Sequence, residues 1–126
     1  MKKTILVIDD NNVNRMMLRG ILDDEYEILE AENGWNAMNI LSRKNDGISA
    51  ILLDILMPVM DGYEFLEKIK ADKELAKIPV VAITQITDEA SEIKALSLGA
   101  IDFLPKPYRG DNIRYRLRNI IQLSEQ

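Results

Sequence analysis

Five short apolar runs alternate along the whole chain with stretches of helical period, and each run turns polar at its C-terminal end. Thr4–Ile8 is an unbroken run of β-branched and Leu residues leading into Asp9-Asp10, the pattern of a central strand buried on both faces. Glu27–Glu30 instead sets charged residues at both ends of an apolar pair, as a half-exposed strand at a sheet edge does. Ile48–Leu53 runs into Asp54, and Val80–Ile83 into Thr84. Ile101–Leu104 is the shortest run and passes through Pro105 to Lys106-Pro107. Pro105 has no backbone donor, which suits a second edge strand.

The intervening segments carry helix signals. Asn11 or Asn12 is placed to cap a helix whose apolar positions Val13, Met16, Met17 and Ile21 fall at helical spacing. Asn33-Gly34 opens a second helix that buries Ala37, Met38 and Leu41, and Asn45-Asp46-Gly47 ends it in a turn. A loop through Pro58 and Asp61-Gly62 leads to a third helix with Phe65, Leu66 and Ile69 inward. Thr87 followed by Asp88-Glu89 starts a fourth, because anions favour a helix N-terminus, and Gly99 stops it. Asp111 or Asn112 is placed to cap the last helix, whose Ile113, Leu117, Ile120 and Ile121 share one face.

This is (βα)₅ with no break, repeat or linker, and it predicts one α/β domain over residues 1–126. Right-handed crossovers place helices on both faces of a doubly wound parallel sheet. With the second and fifth strands at the edges, the strand order is 2-1-3-4-5, a flavodoxin-like arrangement. Strands one and three are then neighbours whose crossovers leave in opposite directions. The ligand crevice of such a sheet lies at that switch point, between Asp9-Asp10 and Asp54.

Composition changes this picture in three ways. The net charge of −5 argues against direct nucleic-acid binding, since a polyanion would be repelled. No apolar stretch approaches the ~20 residues of a membrane helix, and Thr4–Ile8 is too short for a signal-peptide core. The expectation is a cytoplasmic protein without a membrane partner. Cysteine and histidine are both absent, so disulfides, thiolate metal sites and His-based catalysis are excluded.

An Asp after a strand is commonly a helix cap or a loop residue. Asp9 and Asp10 are adjacent and cannot both point the same way. Asp54 is harder to assign to capping, because it terminates a buried apolar strand. Three carboxylates converging without a cation repel one another, at about 4 kcal/mol for one pair ~4 Å apart at an effective dielectric near 20. A hard divalent cation removes that penalty, and without His or Cys the site suits Mg²⁺ rather than zinc or copper. Taken singly, Thr84 is a space-filling strand residue and Lys106 a solvated surface lysine. Taken as a set, a hydroxyl, an ammonium and Mg²⁺ offer counter-charge to a phosphorylated carboxylate. Asp54 is then the nucleophile that takes a phosphoryl group.

The chain as a whole resembles the receiver domain of bacterial two-component response regulators, in the manner of the chemotaxis regulators. The motifs that carry the resemblance are Ile8-Asp9-Asp10, the stretch from Asp54 through Met57-Pro58 to Asp61-Gly62, Ala82-Ile83-Thr84, and Gly99-Ala100 through Phe103 to Lys106-Pro107. The resemblance implies that Asp54 is the phosphoacceptor, serving a sensor histidine kinase or a histidine phosphotransfer protein. It implies that Asp10 binds Mg²⁺ directly, that Asp9 acts largely through water, and that the backbone carbonyl of Leu56 completes the protein ligands. Thr84 follows the phosphoryl group, Phe103 is the aromatic rotamer switch, and Lys106 contacts phosphate through a turn whose Lys-Pro peptide is usually cis. Phe103 has no hydroxyl to hold it in water, so its inward rotamer is expected even at rest. The family's domain is a signalling module that catalyses only its own phosphorylation and dephosphorylation.

One position departs from the family pattern. Gln85 follows the switch threonine where Ala or Gly is usual, and it stands at the mouth of the site, where it either restricts access or faces solvent without effect. For the output, Arg109, Arg114, Arg116 and Arg118 make the last helix basic while Asp88, Glu89 and Glu92 make the fourth acidic. These are either two solvated faces or a self-complementary surface of the fourth helix, fifth strand and fifth helix. Arg114–Leu123 also resembles the start of a helical linker to an output domain, such as those that join receivers to nucleotide-second-messenger enzymes. A haloacid-dehalogenase-type phosphatase needs a second Asp where Leu56 stands. A flavodoxin needs a phosphate cradle where Asp9-Asp10-Asn11-Asn12 would repel phosphate. The alternative that remains is a degenerate receiver that binds partners without phosphorylation, against which the intact acidic set and Lys106 argue.

Overall fold

The apolar runs pair as one parallel sheet in the computed structural model, which describes residues 2–44, 47–57, 60–85, 88–106 and 110–125. The strands are β1 (Lys3–Ile8), β2 (Tyr26–Ala31), β3 (Ile48–Asp54), β4 (Val80–Thr84) and β5 (Asp102–Pro105). Between and after them lie helices α1 (Asn12–Leu22), α2 (Gly34–Lys44), α3 (Gly62–Ala71), α4 (Glu89–Ser97) and α5 (Gly110–Ser124). The order is β2-β1-β3-β4-β5, with every pairing parallel. The doubly wound, flavodoxin-like arrangement expected from the edge patterns is therefore the one observed.

Period-two alternation divides the core between the two faces of the sheet. Ile5, Val7, Leu52, Val81 and Ile83 face α1 and α5, whose Leu18, Leu22, Ile113 and Leu117 cover them. Leu6, Ile8, Ile51, Leu53 and Ala82 face the opposite layer, where α2 supplies Leu41, α3 supplies Phe65 and Leu66, and α4 supplies Ala95. The inward residues expected for α3 and α5 are all buried, as are Ala37 and Leu41 of α2, with Met38 packed at the margin.

Helix α1 turns a different face inward from the one its apolar spacing suggests. Val13, Met16 and Met17 are 61%, 60% and 53% exposed, while Leu18 and Leu22 are buried and Ile21 is half-buried. A charged group sets this rotation. The Arg15 side chain is only 12% exposed and pairs with Glu30 of β2, so it occupies the arc of the helix that the methionines would otherwise fill.

Caps follow local chemistry. Asn11 Oδ1 accepts from the amides of Val13 and Asn14, and Asp61 Oδ1 accepts from that of Glu64. Asn33 Oδ1 accepts from the Asn36 amide at the start of α2, and Asp88 caps α4 through the Ser91 amide. Gly99 ends α4 with φ of +111°, a conformation that glycine adopts without strain. Helix α5 already includes Gly110, so Asp111 and Asn112 sit inside its first turn rather than at its cap. A 3₁₀ turn at Leu75–Lys77 has no counterpart in the sequence pattern. Thr87, Pro58, the turn residues Asn45-Asp46, Arg109 and the Lys106–Pro107 peptide lie outside the described residues.

Gly62 fixes the path of the chain after β3. A Cβ there would stand 2.6 Å from Ile55 Cα and 2.9 Å from the Asp54 carbonyl oxygen, and the Gly62 amide donates to the Ile55 carbonyl at 2.9 Å. Gly62→Ala is expected to lower folding stability by on the order of 2 kcal/mol. Gly20→Ala, at an exposed α1 position with nothing within 4 Å of the added Cβ, is expected to raise it by about 0.5–1 kcal/mol. Urea midpoints without metal measure both, and an unchanged midpoint for Gly62→Ala would remove the close-approach argument.

Candidate functional site

The C-terminal ends of β1, β3 and β4 and the residue after β5 converge on a crevice of about 160 Å³ lined by Asp9, Asp10, Asn11, Asn14, Asp54, Leu56, Gln85 and Lys106. A larger hollow of about 590 Å³ opens at the other end of the sheet, between Lys2, Lys3, Tyr26 and Arg118. Its cations are already engaged, Lys3 by Glu125 and Arg118 by Glu25, and Lys2 by the Asp23 carbonyl. Size therefore does not identify the site; the chemistry of the smaller crevice does.

Asp9 follows β1 and is 2% exposed. Its amide donates to the Ala31 carbonyl at 3.1 Å, and its own carbonyl accepts from Arg15 Nη1 at 2.6 Å. Its Oδ1 accepts from the Asn11 amide at 2.9 Å and its Oδ2 from Lys106 Nζ at 3.0 Å. Each carboxylate oxygen thus accepts one hydrogen bond. Asp10 is exposed, and its side chain accepts no hydrogen bond among the described residues. Asp54, the last residue of β3, is 6% exposed. Its Oδ1 accepts from the Leu56 amide at 3.2 Å, and its Oδ2 lies 3.5 Å from Lys106 Nζ.

Oxygens of Asp9, Asp10 and Asp54 lie within 4.8 Å of one another. Burial pushes the Asp54 carboxyl up to about 6, and the charge of Asp9 adds to the push. Lys106 and the Leu56 amide oppose it, and Asp10 raises it a little further. This is an all-oxygen donor set with excess negative charge and no nitrogen or sulfur ligand, which fits a hard divalent cation. Leu56 stands in the same wall as the carboxylates and is 48% exposed.

Thr84 ends β4 and is fully buried. Its carbonyl accepts from the Lys106 amide at 2.8 Å, which ties the lysine backbone to the neighbouring strand. Phe103 pairs with Ala82 and is half-buried against the core of α2, α3 and α4. It lies two residues below Thr84 on the same sheet face and does not line the crevice. Gln85 is exposed at the rim.

The structure thus gathers Asp9, Asp10, Asp54, Leu56, Gln85 and Lys106 in one crevice and sets Thr84 and Phe103 along the strands that lead away from it. Two contributors were not picked out from sequence. Asn14 lines the crevice from the first turn of α1. Arg15 anchors the Asp9 carbonyl while Glu30 holds its other side at 3.1 Å. Burial opposes ionisation of Glu30, but hydrogen bonds from Arg19 and Arg15 outweigh it and hold the carboxyl below its usual range. The usable signal was Arg15 and Arg19 at i and i+4 opposite the one edge-strand acid, Glu30, that points to α1.

Comparison with known proteins agrees with this geometry. A family model described as the response regulator receiver domain matches residues 5–118. The chain is 36% identical over 123 residues to the cyclic di-GMP phosphodiesterase response regulator RpfG of Xanthomonas campestris pv. campestris, covering 97% of this chain and 32% of that protein. It is 29% identical over 119 residues to a chemotaxis protein CheY homolog of Campylobacter jejuni, covering 93% of this chain and 91% of that one. The chain spans between 9% and 50% of the length of five other-length relatives it matches, RpfG and Histidine kinase P4 of Formosa agariphila among them. The Vibrio cholerae chemotaxis protein CheY4 superposes with a TM-score of 0.88 at 25% identity, covering 95% of this chain and 99% of that one. A putative response regulator from Chloroflexus aurantiacus gives 0.90 at 27% identity, covering 97% and 99%. With the strand order, the acidic crevice and the family match in agreement, the chain belongs to the response regulator receiver domains of two-component signalling.

Proposed function

We propose that this domain accepts a phosphoryl group from a partner's phosphohistidine onto Asp54, with Mg²⁺ held by Asp10, Asp54 and the Leu56 carbonyl. The observation that carries this reading is the burial of Asp54 beside Lys106, with Asp9 and Asp10 within reach. These 126 residues contain no histidine, so the donor nitrogen lies outside them, on a sensor histidine kinase or a histidine phosphotransfer unit. As in the family it belongs to, Asp9 contributes largely through water, and each of its oxygens accepts one hydrogen bond, from Asn11 and Lys106. Bound Mg²⁺ would neutralise the carboxylates and the phosphoryl oxygens they receive.

The chain's own residues perform the rest. An Asp54 oxygen attacks phosphorus, the P–N bond breaks, and the donor nitrogen keeps the electron pair. Lys106 Nζ exchanges carboxylate contacts for a phosphoryl oxygen, and the Thr84 hydroxyl moves toward another. Space vacated behind β4 then favours the inward rotamer of Phe103, already packed against the core of α2, α3 and α4, and the change reaches the surface of α4, β5 and α5. Exposed Ile93, Leu96 and Ile101 on that surface support its use by an output domain or a second copy. Val13, Met16 and Met17 offer a further exposed apolar face on α1, the helix whose Asn14 lines the crevice, suited to the phosphodonor that must approach Asp54. Among the described residues, no helix is long and apolar enough to cross a membrane.

Incubation with Mg²⁺ and a small phosphodonor is expected to add one phosphate to the intact mass, and Asp54→Asn to abolish that gain. A variant that still gains the phosphate with the same Mg²⁺ dependence would show that another residue is the acceptor.

The raised Asp54 carboxyl has a sign that can be measured. Between the ordinary value of 3.8 and about 6, the folded protein binds more protons than the unfolded chain. Metal-free stability therefore falls as pH rises through that window, by up to ~3 kcal/mol. Asp54→Asn is expected to remove this slope. Parallel slopes for the two proteins in urea titrations at pH 4 to 7 would count against it.

Gln85 governs access on this reading, since it lines the crevice from its rim. Gln85→Ala is expected to speed phosphorylation or dephosphorylation severalfold with a small donor. Identical rates for both steps would place Gln85 outside the access path.

A further inference from the structure

We propose that Arg15 is a positioning residue for the metal-binding turn, acting through the Asp9–Asp10 peptide rather than through its charge. The inference rests on the reading of the crevice as a metal site. Arg15 engages three groups from different parts of the fold. Its Nη1 donates to the Asp9 carbonyl at 2.6 Å, its Nε to Glu30 of β2 at 3.1 Å, and its Nη2 to Asn12 Oδ1 at 3.2 Å. The side chain is 12% exposed. Glu30 is itself held by Arg19 Nε at 2.7 Å, and Arg19 Nη2 donates to the Ile28 carbonyl at 3.1 Å. The guanidinium is therefore anchored from the sheet edge and reaches across the top of β1.

The Asp9 carbonyl belongs to the peptide plane that continues into the Asp10 amide. Fixing that oxygen fixes the plane, and the plane fixes the N–Cα bond of Asp10 from which its side chain leaves the backbone. The peptide that follows Asp10 is held by the Asn11 amide on Asp9 Oδ1, and the Asp10 side chain itself is exposed and accepts no hydrogen bond among the described residues. Asp9 differs, being held by the Asn11 amide and Lys106. The carboxylate most open to a cation is thus the one whose aim depends on Arg15. A lysine at this position could not replace the fork, because a single ammonium cannot span the carbonyl, Glu30 and Asn12 in their fixed directions.

Charge and position predict opposite results, which makes the role testable. Removing a cation near a divalent site strengthens Mg²⁺ binding if Arg15 acts only by its charge. If Arg15 aims Asp10, losing it weakens binding, as removing the support of a metal ligand does by about tenfold or more. The experiment is calorimetric Mg²⁺ titration of wild type, Arg15→Met and Arg15→Lys, with thermal melts at zero and saturating Mg²⁺. The expected result is about tenfold weaker binding in both variants and a smaller Mg²⁺-induced rise in melting temperature. Wild-type or tighter affinity in either folded variant would overturn the proposal. So would a variant that melts lower by the same amount with and without Mg²⁺, since that is the mark of a merely structural arginine. Arg15→Lys keeps the charge and the stem, so it supplies the test if Arg15→Met does not fold. A wild-type protein with no Mg²⁺ response at all would overturn the metal-site reading, and the positioning role with it.

Discussion

Lys106 is the one cation that reaches the buried carboxylates of this crevice among the described residues. It stands 3.0 Å from Asp9 and 3.5 Å from Asp54. Three acidic groups against one ammonium leave two negative charges unmatched when all are ionised. Like charges about 4 Å apart at an effective dielectric near 20 repel by about 4 kcal/mol, so the metal-free arrangement is costly, and burial first, with the charge of Asp9 second, raises the Asp54 carboxyl. A protein selected only for stability would place an amide at one of these positions. Keeping all three acids makes sense where a divalent cation is to be bound and a phosphoryl group received.

The rest of the fold can be understood as what holds those charges together. Hydrophobic burial on both faces of the sheet fixes β1 against β3, which brings Asp9-Asp10 and Asp54 to the switch point. Gly62 lets the chain after β3 fold back against Ile55, so the Asp54–Leu56 segment stays in the crevice wall. The Arg15–Glu30–Arg19 cluster closes the outer side, tying α1 to the edge strand β2 and both to the Asp9 carbonyl.

Much of this was legible because burial writes itself into sequence. Apolar runs ending in Asp9, Asp54 and Thr84 mark strand ends, and the charged residues Glu27 and Glu30 within the second run marked an edge. The inward faces of α3 and α5 followed from periodicity. Helix α1 did not, and the reason is electrostatic. Periodicity counts apolar residues, but Arg15 must lie inside to meet Glu30 and the Asp9 carbonyl, which turns Val13, Met16 and Met17 to solvent. Lys106 was ambiguous for a related cause: a lone lysine near a Pro reads as surface, and only strand order shows that β5 delivers it to two carboxylates. Asn14 was overlooked because its role depends on the same rotation of α1.

The connection from crevice to surface is short. Four consecutive residues, the last three of β5 and Lys106 after it, carry both ends of it, since Phe103 pairs with Ala82, Pro105 with Thr84, and the Lys106 amide donates to the Thr84 carbonyl. On the proposed reading, a lysine drawn toward a phosphoryl group on Asp54 pulls on a backbone already bonded to the strand that carries the threonine. Pro105 donates no hydrogen bond of its own, so Lys106 is held to β4 through that amide. On the opposite side, Asp102 at the start of β5 accepts from Arg116 of α5 at 2.8 Å. Strand β5 is thus tied to the crevice at its C-terminal end and to α5 at its N-terminal end. On the proposed reading, an edge strand this short transmits displacement as a unit, because it has few interior pairings in which to absorb it.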